Sequence, residues 1–166
     1  MLNVIRSRRS VAMLIVIALI ASTTVAPASM QTPTDIAVIA HPDVPIADLS
    51  RADLRRMLLG DREFWAPGLR VTLFIRAPIA RERDVAVQDI CEMTEAQFRQ
   101  HWIAKVFRAD APSGPKIVYS ADMAVDQVSR TPGAIGFVAA AQAAGKNVKI
   151  LRIDGRAPGQ SGYRLK

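Results

Sequence analysis

The amino-acid sequence predicts an α/β fold with a mostly parallel sheet of about five strands and helices on both faces. Short apolar segments rich in β-branched residues alternate along the chain with amphipathic segments that carry helix caps. This alternation gives the order β-α-β-α-α-β-α-β-α-β, which is typical of parallel sheets covered by helices. No repeat and no domain boundary interrupts residues 35–155, so one domain is expected.

The first 28 residues have the three parts of a secretory signal peptide. Basic residues come first, an uninterrupted apolar run follows at 11–21, and small residues precede Ala28. The run is shorter than the roughly 20 residues that a spanning helix needs. We therefore expect cleavage after Ala28, leaving an exported domain of residues 29–166 with its core at about 35–155 and no membrane span. An uncleaved N-terminal membrane anchor is the alternative.

Charge limits the classes of partner. Three of the 22 basic residues lie in the signal segment, so 19 remain against 15 acidic residues, a net charge of +4. This surplus suits a small anion but does not require nucleic acid. Aromatic residues make up only 5% of the chain and form no stacking platform for bases, so no nucleic-acid partner is expected.

The first half of the domain contains two predicted strands and one helix between them. The segment 36–42 is short, apolar and β-branched, and two prolines end it. Ser50 has the position of an N-cap for a helix over 49–60, with Asp53 as the acid of a capping box and Gly60 as the C-cap. After a turn at 65–68, residues 69–76 form the second strand.

The second half continues with three helices, two of which begin at recognisable caps. One helix is predicted from about residue 80 to Cys91, and another starts at Thr94, where Gln97 completes a capping box. Ser120 caps a third helix after a short strand at 116–119. Two more strands follow, at 134–139 and 147–153, and the tail is rich in turns.

No pattern in the sequence indicates an enzyme, a metal site or a cofactor. His41 and His101 lie sixty residues apart, and neither has the spacing of a metal site. Nucleophile elbows, phosphate loops and zinc-protease motifs are missing. Cys91, the single cysteine, ends an apolar helix and is expected to be buried and inert, with a reactive thiol as the alternative.

The segment IAVIAHPDVPIADLSRADLRRMLLGDREFWAPGLRVTLFIR, followed by FRQHWIAKVF and TPGAIGFV, resembles the phosphate-binding proteins of ABC import systems. It is most similar to a short, single-lobe group related to them, over about residues 36–139. The resemblance implies a periplasmic, binding-protein-like lobe. Full-length relatives hold the anion between two such lobes, whereas this chain has the length of about one.

The resemblance also implies an anion site in FIRAPIARERD, residues 74–84. In the family, a strand ends in an arginine, and a Ser-Gly-Thr loop then opens a helix whose N–H groups and hydroxyls hold phosphate. Arg76 matches that arginine, while Ala80, Arg81 and Glu82 stand where Ser-Gly-Thr is expected. A helix N-terminus and an arginine still favour an oxyanion, but Glu82 adds a negative charge.

Each candidate site residue therefore has two interpretations. Arg76 binds an anion, or it forms a salt bridge at the strand end. Arg81 and Arg83 assist it, or they belong to a solvated first turn of mixed charge. Ser120 points into a cleft, or it serves only as an N-cap.

Two functional hypotheses follow. In the first, an exported solute-binding-like protein recognises phosphate or a related oxyanion, with a possible link to ABC phosphate uptake or sensing. In the second, an interaction or sensory module of the envelope has kept the fold, lost the ligand and docks on a membrane transporter or sensor protein. The second hypothesis predicts an exposed apolar patch or a self-associating edge.

Overall fold

The computed structural model describes residues 35–166, and the predicted signal peptide and its cleavage point lie outside this range. Within it the chain forms eight strands: β1 (Ile36–Ala40), β2 (Asp48–Leu49), β3 (Phe64–Ala66), β4 (Leu69–Arg70), β5 (Thr72–Arg76), β6 (Lys116–Val118), β7 (Ala134–Ala139) and β8 (Lys149–Ile153). Six of them make one sheet in the order β2-β8-β1-β7-β5-β6, and β3 and β4 form a separate pair.

Five strands of the main sheet run in the same direction, and β1 runs against them. β1 pairs antiparallel with both β7 and β8, while β2 is parallel to β8, and β5 is parallel to both β6 and β7. The predicted α/β class with a mostly parallel sheet is confirmed. The antiparallel direction of β1 was not predicted. The pattern of apolar residues along the sequence indicates which strands are buried, but it does not indicate the direction in which each strand runs.

Three of the five helices in residues 35–166 begin at the caps that the sequence indicates. The five are α1 (Arg51–Leu58), α2 (Arg81–Asp84), α3 (Glu95–Phe107), α4 (Ala121–Arg130) and α5 (Ala140–Ala143). Hydroxyls of Ser50, Thr94 and Ser120 accept hydrogen bonds from backbone N–H groups of the first turns of α1, α3 and α4. Thr94 and Gln97 form the full predicted capping box.

The helix predicted from about residue 80 to Cys91 changes type halfway. Its first turn is α2, and Val85–Ile90 continue it as a π-helix. The amide of Cys91 donates to the carbonyl of Ala86, five residues back, and this wider turn lets three consecutive residues from Val85 be buried. Periodicity at 3.6 residues per turn does not reveal such a widening.

Two apolar layers cover the sheet, one on each face, as expected. Side chains of α1, the π-helix and Phe98 of α3 pack on the face that contains Val38 and Ile75. α4 packs on the other face, against Ile39 and Phe74. Alternate residues of β1 point to opposite layers, so this strand is buried on both sides and reads as one apolar run.

The C-terminal tail belongs to the packed structure, and the core extends beyond the predicted limit near residue 155. Tyr163 and Leu165 are buried among the residues of the α1 face. The Leu165 carbonyl accepts from the amide of Ile36, and the Tyr163 hydroxyl donates to the Ile36 carbonyl at 2.7 Å. The tail therefore fixes the start of β1.

Candidate functional site

The candidate site lies where the parallel strands β5 and β6 end. Arg76, the last residue of β5, is in register with Val118, the last residue of β6. The loop 77–80 leads from β5 into α2, and Ser120 follows β6 as the cap of α4. Ligands of open α/β sheets bind at this edge, outside the carboxyl ends of the strands.

The Arg76 guanidinium has donors without acceptors. Its side chain is only 15% exposed, and its nearest charged neighbour is Glu82, with 3.7 Å between Nε and Oε2. That separation is too long for a hydrogen bond. Among the described residues, Nε and Nη1 of Arg76 are buried and have no hydrogen-bond partner. Buried donors are nearly always satisfied, so these two atoms point to an acceptor that residues 35–166 do not provide.

Glu82 opposes an anion at this position. Its side chain is 13% exposed, and its carboxylate faces Arg76. Without a ligand, Arg76 therefore forms a long salt bridge with Glu82. A negative charge this close to Arg76 repels a second one. The site therefore has hydrogen-bond donors for an oxyanion, but the negative charge of Glu82 weakens the electrostatic attraction between Arg76 and that anion.

Arg83 does not lie on a solvated first turn, and that interpretation is wrong for this residue. It is buried, and its Nε and Nη2 donate to the two carboxylate oxygens of Glu95 at 2.8 and 2.7 Å. Its Nη1 donates to the backbone carbonyl of Arg76 at 2.9 Å. Because its three nitrogens already have acceptors, the Arg83 side chain holds the end of β5 in position.

Glu95 is the partner that sequence analysis missed. It is the first residue of α3, twelve positions beyond Arg83, and no local pattern joins the two. The hydrogen bond from Arg83 is the main cause that lowers the pKa of the Glu95 carboxyl below its usual value. The pair links the start of α2 to the start of α3.

The other candidates lie around Arg76 with different exposures. Arg81 is exposed, and it forms no ion pair within residues 35–166. Ala80 is the N-cap of α2 but has no side-chain cap. The hydroxyl of Ser120 accepts from the amide of Met123 at 3.0 Å, which fits the N-cap interpretation.

Ile79, in the loop before α2, has an unusual backbone. Its φ is +78°, and its side chain is 98% exposed. The amide of Ala80 donates to the carbonyl of Ala77, so Pro78 and Ile79 occupy the corners of a tight turn in which glycine is preferred at the second corner. A β-branched residue at positive φ is strained, and such strain is common at binding loops.

The single thiol is buried in the core, and both histidines lie within hydrogen-bond distance of the backbone. Cys91 is fully buried, and desolvation raises the pKa of its thiol to about 12, as the inert interpretation requires. Nε2 of His101 lies 2.9 Å from the Leu59 carbonyl, and Nδ1 of His41 accepts from the Asp43 amide. Across the described part of the chain, no cluster of His, Cys, Asp and Glu could hold a metal ion, and no helix is long and apolar enough to cross a membrane.

No protein-family model and no curated protein matches the sequence. Solved structures do match the fold. A substrate-binding protein of a phosphate ABC transporter from Clostridium perfringens, with bound phosphate, aligns with a TM-score of 0.59 at 17% identity. An ABC-type phosphate transport receptor from Vibrio cholerae gives 0.58 at 16% identity, and PstS from Borrelia burgdorferi gives 0.57 at 21%.

Each alignment covers 75% of this chain and 46%, 48% and 49% of the respective neighbour. The chain thus spans about half the length of these proteins. The expected resemblance is confirmed at the level of the fold. Sequence identities below 25% support a shared fold and nothing finer. Over about half of their length, this chain has the fold of the phosphate ABC transporter substrate-binding proteins.

Proposed function

We propose that this chain is an exported solute-binding-like protein that recognises phosphate or a related small oxyanion through Arg76. The observation that carries the proposal is the pair of buried Arg76 donors, Nε and Nη1, without an acceptor in the described chain. Nε and Nη1 lie on different edges of the guanidinium, so a small oxyanion would satisfy one of them by a charged hydrogen bond. Nη1 is the better candidate, because the Glu82 carboxylate already lies 3.7 Å from Nε.

The position of Arg76 supports the same ligand class. It ends a parallel strand at the sheet edge where α/β proteins bind ligands. The Clostridium perfringens neighbour with the same fold is described with bound phosphate. We infer that the present protein works in the periplasm, with a transporter or sensor of the envelope as its partner, and that it binds rather than transforms its ligand.

The surrounding residues have separate roles in this proposal. Arg83, through its bond to the Arg76 carbonyl, holds the strand end from which the Arg76 side chain projects. Arg81 adds an exposed positive charge near the helix start, and the Ser120 hydroxyl lies beyond the neighbouring strand. Glu82 lowers the affinity, so we expect weak binding compared with a site that has a neutral residue there.

Calorimetric titration of the purified protein with phosphate, repeated with sulfate at constant ionic strength, tests the proposal. Arg76→Ala should weaken binding at least about tenfold, because one charged hydrogen-bonding group contributes roughly 1.5–3 kcal/mol. Glu82→Gln should strengthen binding by about tenfold, because it removes a like charge while keeping the size of the side chain.

Arg130→Ala is the matched control, since it removes one exposed arginine that pairs with Asp126 on α4. It should leave the affinity unchanged. The proposal fails if millimolar phosphate produces neither heat nor thermal stabilisation in the wild-type protein and in Glu82→Gln. It also fails if Arg76→Ala and Arg130→Ala bind alike.

A further inference from the structure

Helix α3 exposes an unusual amount of apolar surface. Of its thirteen residues, only Phe98 is buried. Ile103, Val106 and Phe107 are exposed on its second half, and Phe107 reaches 91% exposure. Single exposed apolar side chains are ordinary, but a contiguous group on one helix indicates a surface that another element covers.

Strand β6, which lies next to α3, is one of the two edge strands of the main sheet. It pairs with β5 on one side only. The Val118 carbonyl accepts from the amide of Ala77 and therefore faces β5. Carbonyls of successive strand residues point in opposite directions, so the N–H and C=O groups of Ile117 face outward. Within residues 35–166, Ile117 therefore has one free donor and one free acceptor at the edge.

A groove lies between this edge and α3. It has a volume of about 670 Å³, and its apolar walls include Ile103, Val106 and Phe107 of α3 and Ile117 of β6. Ile117 is opposite Ile75 in register, so its side chain is on the sheet face that α3 covers. A strand added beside β6 would place alternate side chains beneath α3.

The charges along the groove and its edge strand are mainly positive. Arg99 lines it, and within residues 35–166 this guanidinium has no carboxylate within ion-pair distance. Lys116, the first residue of β6, lies over the ring of Phe74 on the opposite face of the sheet, beside the same open edge, and likewise has no acidic partner in the described chain. Arg83 and Glu95 also line the groove, but they neutralise each other. A second copy would bring the same cations together, whereas an acidic partner would complement them.

We propose that this groove, formed by α3 and the edge of β6, binds an extended segment of a partner protein that adds to β6 as a seventh strand. The segment carries apolar side chains on the face toward α3, a carboxylate that meets Arg99 on that side, and a carboxylate on its other face that meets Lys116. Main-chain bonds to Ile117 supply affinity, and the apolar pockets and cations supply specificity. The proposal does not depend on anion binding by Arg76.

Fluorescence anisotropy tests it with labelled peptides and protein purified from cells that express the full-length chain, in phosphate-free buffer. The probe peptide alternates valine with threonine and carries an aspartate at each end. A second peptide has lysine at those ends, and a third has the first composition in scrambled order. Only the alternating acidic peptide should bind, and its affinity should fall as salt is added.

Two pairs of variants separate backbone pairing from side-chain contact. Ile117→Pro removes the outward N–H without disturbing the bonds to β5, since proline is tolerated on edge strands, and should weaken binding at least tenfold. Ile117→Val keeps the donor and should bind as the wild type does. Arg99→Ala should weaken binding of the acidic peptide several-fold, whereas Arg108→Ala, an exposed arginine paired with Asp110, should not.

Several results would overturn the proposal. One is the absence of binding by every peptide at millimolar concentration. Another is equal binding of the acidic and lysine peptides, or equal binding by Ile117→Pro and Ile117→Val with circular dichroism showing both folded. Sedimentation that reveals a dimer dissociated by Ile117→Pro would assign the edge to a second copy instead.

Discussion

The Arg83 guanidinium donates a hydrogen bond to the backbone carbonyl of Arg76 at 2.9 Å while it forms a two-fold hydrogen-bonded pair with Glu95. This one side chain therefore joins the end of β5 to the starts of α2 and α3. The bond fixes the backbone from which the proposed ligand-binding arginine projects. It also connects the proposed anion site with the groove beside α3, because Arg83 and Glu95 line that groove.

Replacing Arg83 should destabilise the protein. We expect Arg83→Ala to lower the free energy of unfolding by about 2–3 kcal/mol, near the low end for a broken buried pair, because Glu95 remains partly solvated. Urea denaturation measures the change. Arg81→Ala, two residues earlier and exposed, is the control and should stay within about 0.5 kcal/mol of the wild type. Equal losses of stability in the two variants would contradict a stabilising role for the buried Arg83–Glu95 pair.

Glu95 should contribute to acid sensitivity. Its pKa is lowered in the folded state, mainly by the hydrogen bond from Arg83, so its stabilising effect is present above the unfolded-state value of about 4.5. That stability is lost as the pH falls through the folded-state pKa. Urea midpoints between about pH 7 and pH 3 should therefore fall less steeply for Glu95→Gln than for the wild type. Parallel curves for the two proteins would refute the prediction, and Asp126→Asn is the exposed control.

The Cys91 thiol should be inert in the folded protein. It is fully buried, and burial raises its pKa to about 12, so almost no thiolate exists near neutral pH. A thiol-reactive chromogenic disulfide should label it only after denaturant unfolds the chain. Complete labelling within minutes under native conditions would show that the thiol is accessible.

Gly133 should resist substitution. Its φ is +70°, and an added Cβ would lie far inside 3.0 Å of the Arg70 carbonyl oxygen. Its own carbonyl accepts from Trp65 Nε1 and from the amide of Thr72, so a shift here disturbs both β5 and the β3–β4 pair. Gly133→Ala should cost at least about 3 kcal/mol in thermal or urea unfolding.

Gly68 provides the matched control, because its φ is +81° but no atom lies within 4 Å of an added Cβ. Gly68→Ala should cost only the strain of the left-handed backbone, about 1–2 kcal/mol. A comparable loss of stability at both positions would mean that backbone strain, and not a clash with the Arg70 carbonyl oxygen, sets the cost of replacing Gly133.

Ile79 should be a site where glycine stabilises the fold. Ile79→Gly removes the strain of a β-branched residue at positive φ, and the exposed side chain loses few contacts. After the entropy cost of glycine, we expect a gain of about 0.5–1 kcal/mol. Ile79→Val keeps the strain and should change little. A loss of stability in Ile79→Gly would indicate that the side chain packs on another surface.

The elements that the sequence predicted well are those with local causes. A hydroxyl at Ser50, Thr94 or Ser120 can reach only the N–H groups of the turn that follows, so each cap fixes a helix start from within a few residues. Apolar runs likewise located β1, β7 and β8. The segment 69–76 contained both β4 and β5, because the break between them depends on pairing with β3 and β7.

The candidate site was only partly accessible to the same reasoning. Arg76 was identified because it ends an apolar strand and matches the arginine of the family that the sequence resembles, and its position at the strand end is present in the fold. The burial of Arg83 was not predicted, because the alternating charges of residues 81–84 are typical of a solvent-exposed turn. Burial of one member depends on where Glu95 lies after the intervening π-helix.

The sequence by itself determined the alternation of strands and helices, the caps and the arginine at the end of β5, because each depends on neighbours along the chain. Only the tertiary structure decided the reversed direction of β1, the buried partnership of Arg83 with Glu95, the two unsatisfied donors of Arg76 and the open edge at β6. These four features depend on contacts between segments far apart in sequence, which local propensity and periodicity do not encode.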